Sequence, residues 1–145
     1  MELVRPGPEH LPSYTAALER GWSSDNVRGE AATREELARI AADPAGFLAT
    51  MEDLDGTLPP ITLLDGSKAR RLPGFRRWMW DGELVGSIGF RWAPGTPELP
   101  PTCMGHIGYA VVPWKRNRGH ATEALRLLLG EIGFTGLPYV ELTAE

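Results

Sequence analysis

The sequence predicts an α/β (α+β) fold: a mixed, mainly antiparallel central sheet with helices on its flanks. Two observations predict it. Strand-like runs at residues 75–80 and 83–92 flank Asp81-Gly82, a dipeptide favoured in two-residue hairpin turns. Residues 105–143 then read strand, turn, helix, strand, and such a crossover within one sheet is parallel and right-handed. A chain of 145 residues with an ordinary apolar fraction is sized for one domain, residues 1–145, around one core.

Taken in order, Glu2, Leu3 and Val4 form a short first strand stopped by Pro6. Pro8 and Glu9 open a helix whose apolar face is Leu11, Tyr14 and Leu18, with Pro12 in its first turn and Gly21 at its end. Residues 22–29 make a polar loop. Thr33-x-x-Glu36 reads as a capping box for a second helix with inner face Leu37, Ile40 and Ala41. Asp43-Pro44 interrupts it, and Phe47, Leu48 and Met51 continue as a shorter helix. Residues 54–74 are rich in glycine, proline and charge. Their apolar run before Asp65-Gly66 suggests either a small hairpin or a loop over a site. In the main hairpin, Leu84, Gly86, Ile88, Phe90 and Trp92 share one face by period two. Trp78, Trp80 and Trp92 are either an aromatic floor or core, and core is the commoner role of strand aromatics.

The chain is organised around residues 105–121. Ile107, Tyr109, Val111 and Val112 read as a strand that Pro113 ends. The basic turn Lys115-Arg116-Asn117-Arg118-Gly119 follows, and then a helix carrying Ala121, Ala124, Leu125, Leu128 and Ile132 at helical spacing. Free N–H groups, the positive end of the helix dipole and three cations converge at that turn, and Gly119 admits a ligand close to the backbone. The pattern points to a phosphate or pyrophosphate. Residues 139–143 alternate as a last strand, expected beside Ala110–Val112 in the sheet.

The nucleotide loop GxxxxGK[ST] and the dinucleotide fingerprint GxGxxG are absent. What stands in their place, Arg116-x-x-Gly119-x-Ala121 directly after a strand ending Val-Val-Pro, resembles the acetyl-CoA motif of the GNAT superfamily of N-acetyltransferases. The resemblance covers the chain from Glu2 onward and is specific from residue 105 to about residue 129. It implies transfer of an acetyl group from acetyl-CoA, as cosubstrate, to a primary amine by direct attack. It also implies that the backbone of Val111 and Val112 pairs with pantetheine and that the Tyr109 N–H points at the thioester carbonyl. The turn from Arg116 through Asn117, Arg118, Gly119 and His120 to Ala121 would hold the pyrophosphate. Lys115, Arg116 or Arg118 would neutralise charge, including that of the 3′-phosphate. Segments after the first strand line the acceptor site in this superfamily, so Trp22, Asp25, Asn26 and Arg28 are either acceptor contacts or plain loop chemistry.

For the proton that the amine must lose, His106 is the group in the strand that titrates near neutrality. Strict alternation puts it on the face opposite Tyr109 unless a bulge intervenes, and a histidine satisfied by a neighbouring backbone group is the competing reading. His120, in the first helical turn, is less suited to a base role. Cys103, the single cysteine, excludes an internal disulfide and a cysteine-based zinc site, and no metal is expected. No histidine–acid pair can be placed beside it, which favours direct transfer over an acyl-enzyme. The formal net charge of −4 does not suggest a nucleic-acid partner. The chain start lacks the apolar core of a signal peptide and no segment is long enough to span a membrane, so a cytoplasmic location is the expectation. Superfamily members continue past the fifth strand, so the chain reads as either a fragment that stops there or a naturally abbreviated protein. Its last strand is expected to expose an edge bearing Val140 and Leu142, an association hazard for which a homodimer is one outcome. The motif concerns only the donor, and it fits a non-catalytic acyl-CoA-binding or sensing module as well as an enzyme.

Overall fold

The computed structural model describes residues 1–63, 65–69, 71–100 and 105–143; Cys103 lies outside them. In chain order the elements are β1 (Glu2–Val4), α1 (Leu11–Glu19), α2 (Glu30–Ala42), α3 (Pro44–Ala49), β2 (Glu52–Asp53), β3 (Ile61–Thr62), β4 (Lys68–Ala69), β5 (Gly74–Trp80), β6 (Leu84–Arg91), β7 (Ile107–Val111), α4 (His120–Glu131) and β8 (Leu142–Thr143). The main sheet runs β1-β5-β6-β7-β8, and β2 shares the outer edge of β5 with β1. All of its pairs are antiparallel except β7–β8, which the α4 crossover makes parallel. The mixed, mainly antiparallel sheet expected from the sequence is therefore present. The Asp65-Gly66 turn closes a separate small hairpin, β3–β4.

The sheet lies between two apolar layers, because its strands alternate their side chains between faces. On one face Leu11, Tyr14, Ala17 and Leu18 of α1 and Phe47 of α3 pack with Trp22, Trp78, Leu84, Ala110 and Val112. Tyr14 stacks on Trp78 with centroids 4.2 Å apart. On the other face Ala124 and Leu128 of α4, with Ile132, pack on Phe75, Met79, Val85, Ile88, Phe90 and Ile107. Of the three tryptophans, Trp78 is wholly buried core, while partly buried Trp80 and Trp92, the latter one residue past β6, pack against opposite layers.

Several local expectations change. Thr33 and Glu36 do not form a capping box, since α2 starts earlier, at Glu30 behind Gly29. The Thr33 hydroxyl instead donates to the Trp22 carbonyl at 2.9 Å, and Glu36 accepts from the Tyr14 and Ser24 hydroxyls. Burial, then the Glu36 charge, pushes the Tyr14 phenol well above its usual pKa. The main hairpin carries a register shift at Met79/Trp80, which puts Leu84 on the α1 face while Ile88 and Phe90 face α4. The last strand is shorter than expected and slides along β7: Leu142 pairs with Ile107, not with Ala110–Val112. Val140 packs against the α4-side core, while Leu142 and Tyr139 are exposed. No helix among the described residues is long and apolar enough to cross a membrane.

At Gly86 there is no room for a side chain between β6 and β7: an added Cβ would lie 2.4 Å from the Ala110 carbonyl oxygen and 3.0 Å from the Val111 Cα. Both contacts are backbone, so neither can swing aside. Gly86→Ala is expected to cost about 1–3 kcal/mol, the usual range for overpacking, read as a lower urea midpoint with an unchanged slope.

Candidate active site

At the end of β7 the chain makes a single 3-10 turn over Pro113–Lys115 and returns to extended backbone at Arg116. Two left-handed residues then aim it into α4: Asn117 at φ 63° and Gly119 at φ 78°. Asparagine tolerates this region through its short polar side chain and glycine because it lacks a Cβ. No side chain caps α4. The Glu123 N–H returns to the Gly119 carbonyl at 3.1 Å, so the N–H groups of His120, Ala121 and Thr122 have no partner within the helix. These residues are half-buried or exposed, and a Cβ built on Gly119 would meet no atom within 4 Å. A tetrahedral anion suits such a cradle.

The cations around it divide into two kinds. Lys115 does not face the cradle: its ammonium is buried and held by Asp81 at 2.8 Å and Glu83 at 2.7 Å. Where the sequence offered it as a phosphate neutraliser, two carboxylates already hold that charge in this structure. Burial alone would lower its pKa, but the hydrogen bonds it donates to Asp81 and Glu83 prevail and hold it above the usual lysine value. The same bond from Lys115 holds the Asp81 carboxyl below the usual carboxylate range. Arg116 and Arg118, by contrast, are exposed and reach only backbone oxygens, Val111 O at 3.1 Å and Trp114 O at 3.5 Å. Both guanidiniums keep further donors for an anion.

Strand β7 presents one usable edge. His106 accepts from the Arg91 N–H and Val112 donates to Val85, which fixes the alternation of inward hydrogen bonds to β6. Tyr109 and Val111 therefore turn their N–H and C=O groups outward. Beside them β8 pairs only with Ile107 and Gly108. The outward carbonyls are taken by side chains: Asn26 Nδ2 donates to Tyr109 O at 2.9 Å, and Arg116 Nε to Val111 O. Val112 differs from expectation. Its N–H is bound to Val85 at 2.9 Å, its carbonyl accepts from the Lys115 N–H at 3.0 Å, and its side chain is buried, so it offers nothing to a ligand lying along this edge.

At the other end of β7, the N–H groups of His106 and Ile107 both donate to the Glu141 carbonyl. That bulge-like irregularity turns the His106 ring toward Phe90 and Tyr139, on the α4 side that Tyr109 also faces. The ring is fully buried, and its Nδ1 accepts from the Glu141 N–H at 2.8 Å. The neutral ring must then carry its hydrogen on Nε2, which has no partner among the described residues. With its lone pair engaged and no exposure, His106 has the geometry of a histidine that anchors β8. Of the loop candidates, Trp22 is core, Arg28 pairs with Glu35, and Asp25 caps the Val27 and Arg28 N–H groups. Asn26 hydrogen-bonds to β7 through the Tyr109 carbonyl.

The family model described as Acetyltransferase (GNAT) family matches residues 34–144, most of the chain and all of the β7–α4 turn. The chain belongs to the GNAT family. That family's chemistry is acyl transfer from acetyl-CoA, which serves it as cosubstrate. No curated protein matches this GNAT chain, and no solved structure matches it. One feature of the GNAT sheet went unnoticed in the sequence: Arg76 shares the α1 face of β5 with Trp78 and Trp80. Its signal was a charged residue at an inward period-two position.

The Lys115 clamp makes a pH-dependent prediction. Because Asp81 titrates lower in the folded protein than in the unfolded chain, its ionised form stabilises the fold above the unfolded value of about 4. That contribution is lost as pH falls through the folded value. Asp81→Asn is expected to cost about 2 kcal/mol near neutral pH, in the range of hydrogen bonds to charged groups, and to flatten the acid limb of the stability curve. Urea midpoints across the acid range check both.

Proposed function

We propose that this single domain is an N-acetyltransferase that passes the acetyl group of acetyl-CoA directly to a primary amine. The observation that carries the reading is the uncapped N-terminus of α4, opened by left-handed Gly119 and flanked by two arginines that have no carboxylate partner among the described residues. In this reading the N–H groups of Gly119, His120 and Ala121 receive the pyrophosphate, and Asn117 sets the turn that aims them. Arg116 and Arg118 neutralise the phosphates, one of them serving the 3′-phosphate. The outward edge at Tyr109 and Val111 receives the pantetheine amides, with the Tyr109 N–H directed at the thioester carbonyl. In the reaction the amine nitrogen bonds to the acetyl carbon, the C–S bond breaks, and the thiol leaves with the proton given up by the amine. His106 holds the end of the strand and is not assigned the proton.

Gly119→Asp places a side chain and a negative charge in the cradle, and calorimetry is expected to show loss of CoA binding. Unchanged affinity would remove the cradle from the reading.

Arg116→Ala and Arg118→Ala are each expected to weaken CoA by about 1.5–3 kcal/mol, roughly tenfold or more. The arginine that serves the 3′-phosphate will lose CoA but not dephospho-CoA. Thiol release from acetyl-CoA across a panel of amines tests the transfer itself. CoA binding without thiol release for any amine would make the chain an acyl-CoA-binding module.

A further inference from the structure

The α1 face of the sheet is covered along only part of its length. Across it, Trp78, Ser87 and Ala110 form one paired row, buried beneath the α1-side core. The next row is Arg76, Gly89 and Gly108. Both glycines are partly exposed. A Cβ built on Gly108 would meet nothing within 4 Å, and one on Gly89 nothing closer than 3.8 Å. The loop at residues 22–29 crosses this row and is fastened at two points. Ser24 Oγ accepts from the Arg76 guanidinium at 3.2 Å, and Asn26 holds the Tyr109 carbonyl. Between those points the sheet presents a floor of two glycines, with an arginine at one end and the edge of β7 at the other.

Arg76 is partly buried, yet among the described residues no carboxylate lies at ion-pair distance from it, and its side chain bonds only the Ser24 hydroxyl. The neighbouring Arg77, on the other face, has both Glu52 at 3.3 Å and Glu131 at 3.2 Å. The groups around Arg76 do not supply the missing charge. Glu36 lies behind Ser24 with its oxygens taken by the Tyr14 and Ser24 hydroxyls. Arg71 is close enough for Arg76 and Arg39 to depress its pKa, after burial, against the opposing charge of Asp53. A guanidinium withdrawn from water with only a neutral partner is unfavourable until an anion joins it, and its planar fork matches a carboxylate.

We infer that the amine acetylated here also carries a carboxylate, which Arg76 grips while the amine lies over Gly89 and Gly108 toward the Tyr109 edge. The inference rests on the acetyltransferase reading and names its acceptor class. The span limits that class. Arg76 Nε lies 3.9 Å from the Cβ position of Gly89, its cross-strand partner, so the guanidinium lies within reach of β6. One strand spacing, about 5 Å, then separates it from β7. That distance suits a small amino acid and excludes a long polyamine, whose second cation Arg76 would also repel.

The experiment compares thiol release from acetyl-CoA with a small amino acid, its decarboxylated amine and a diamine of similar length. The amino acid is expected to lead in kcat/KM by about tenfold or more, the usual scale of a charge-assisted contact. Arg76→Gln should collapse that ratio toward one through the KM of the amino acid, and Arg76→Lys should restore part of it. Gly89→Val should raise KM for the amino acid by filling the floor. Calorimetric CoA affinity should stay unchanged in all three variants, which also reports that they fold. Equal kcat/KM for the amino acid and its decarboxylated amine, or an amino-acid KM indifferent to Arg76→Gln, would overturn the inference and leave the acetyltransferase reading standing. Absence of CoA binding, or of thiol release with every amine, would overturn both.

Discussion

The ammonium of Lys115, held between Asp81 and Glu83, fixes the part of the molecule on which the rest depends. A buried ammonium is tolerated only when paired, and here both partners come from the turn between β5 and β6. The bond therefore ties the exit of β7 to the far end of the main hairpin. Val112 completes the tie with its N–H on Val85 and its carbonyl under Lys115. With these points set, the left-handed steps at Asn117 and Gly119 determine where α4 begins and where its free N–H groups point. A cation in a phosphate-motif turn is easily read as a ligand for phosphate. This one shapes the turn, and its neighbours Arg116 and Arg118 are left to face outward.

The same sheet supports two different surfaces because its faces are covered unequally. Leu128 and Ala124 of α4 seal one side along β6 and β7. On the other, α1 and α3 cover the rows of Trp78 and Trp80 but leave the row of Arg76, Gly89 and Gly108 partly exposed. Backbone irregularities sharpen the contrast. The register shift at Met79/Trp80 moves Leu84 into the α1 layer, and the doubled bond to Glu141 draws His106 into the α4-side aromatic group. Among the described residues, what remains open is the outward N–H side of Tyr109 and Val111 and the glycine floor beside it.

Much of this was legible in the sequence because it rests on local signals. The Asp81-Gly82 turn, the Ile107–Val111 strand and the apolar stripe of α4 are written in neighbouring residues, and so is the Arg116-x-x-Gly119-x-Ala121 turn that marks the family. What was not legible depends on partners distant in the chain. Nothing near Lys115 announces Asp81 and Glu83, thirty or so positions earlier. Thr33 and Glu36 have the spacing of a capping box, yet Trp22 and Tyr14 claim them because tertiary bonds outbid a local cap. The bulge at His106 and the offset of β8 follow from a single carbonyl, that of Glu141, whose position no periodicity gives.

The charges show the same dependence on partners. The chain is acidic overall, and that balance says little about the ligands it can hold. The distribution of partners says more. Arg77, Arg28 and Arg126 face carboxylates, Arg20 lies over the Trp114 ring, and Arg39 lies over the Phe47 ring. Arg116 and Arg118 at the helix end of the open edge, and Arg76 across the glycine floor from it, touch only carbonyls or a hydroxyl among the described residues. Arg71 and Arg91 also end on carbonyls, but away from the β7 edge, at Pro59 and Gly105. Positive charge without a carboxylate partner among the described residues thus lies at the helix end of the Tyr109–Val111 edge and across the glycine floor from it, and Asn26 and Arg116 occupy the outward carbonyls of that edge. In the proposed reading an anion sits at each of these two places and an acyl donor lies between them. In that reading the two places discriminate differently: the helix N-terminus would recognise phosphate through backbone donors, and Arg76 would select the acceptor through a single side chain.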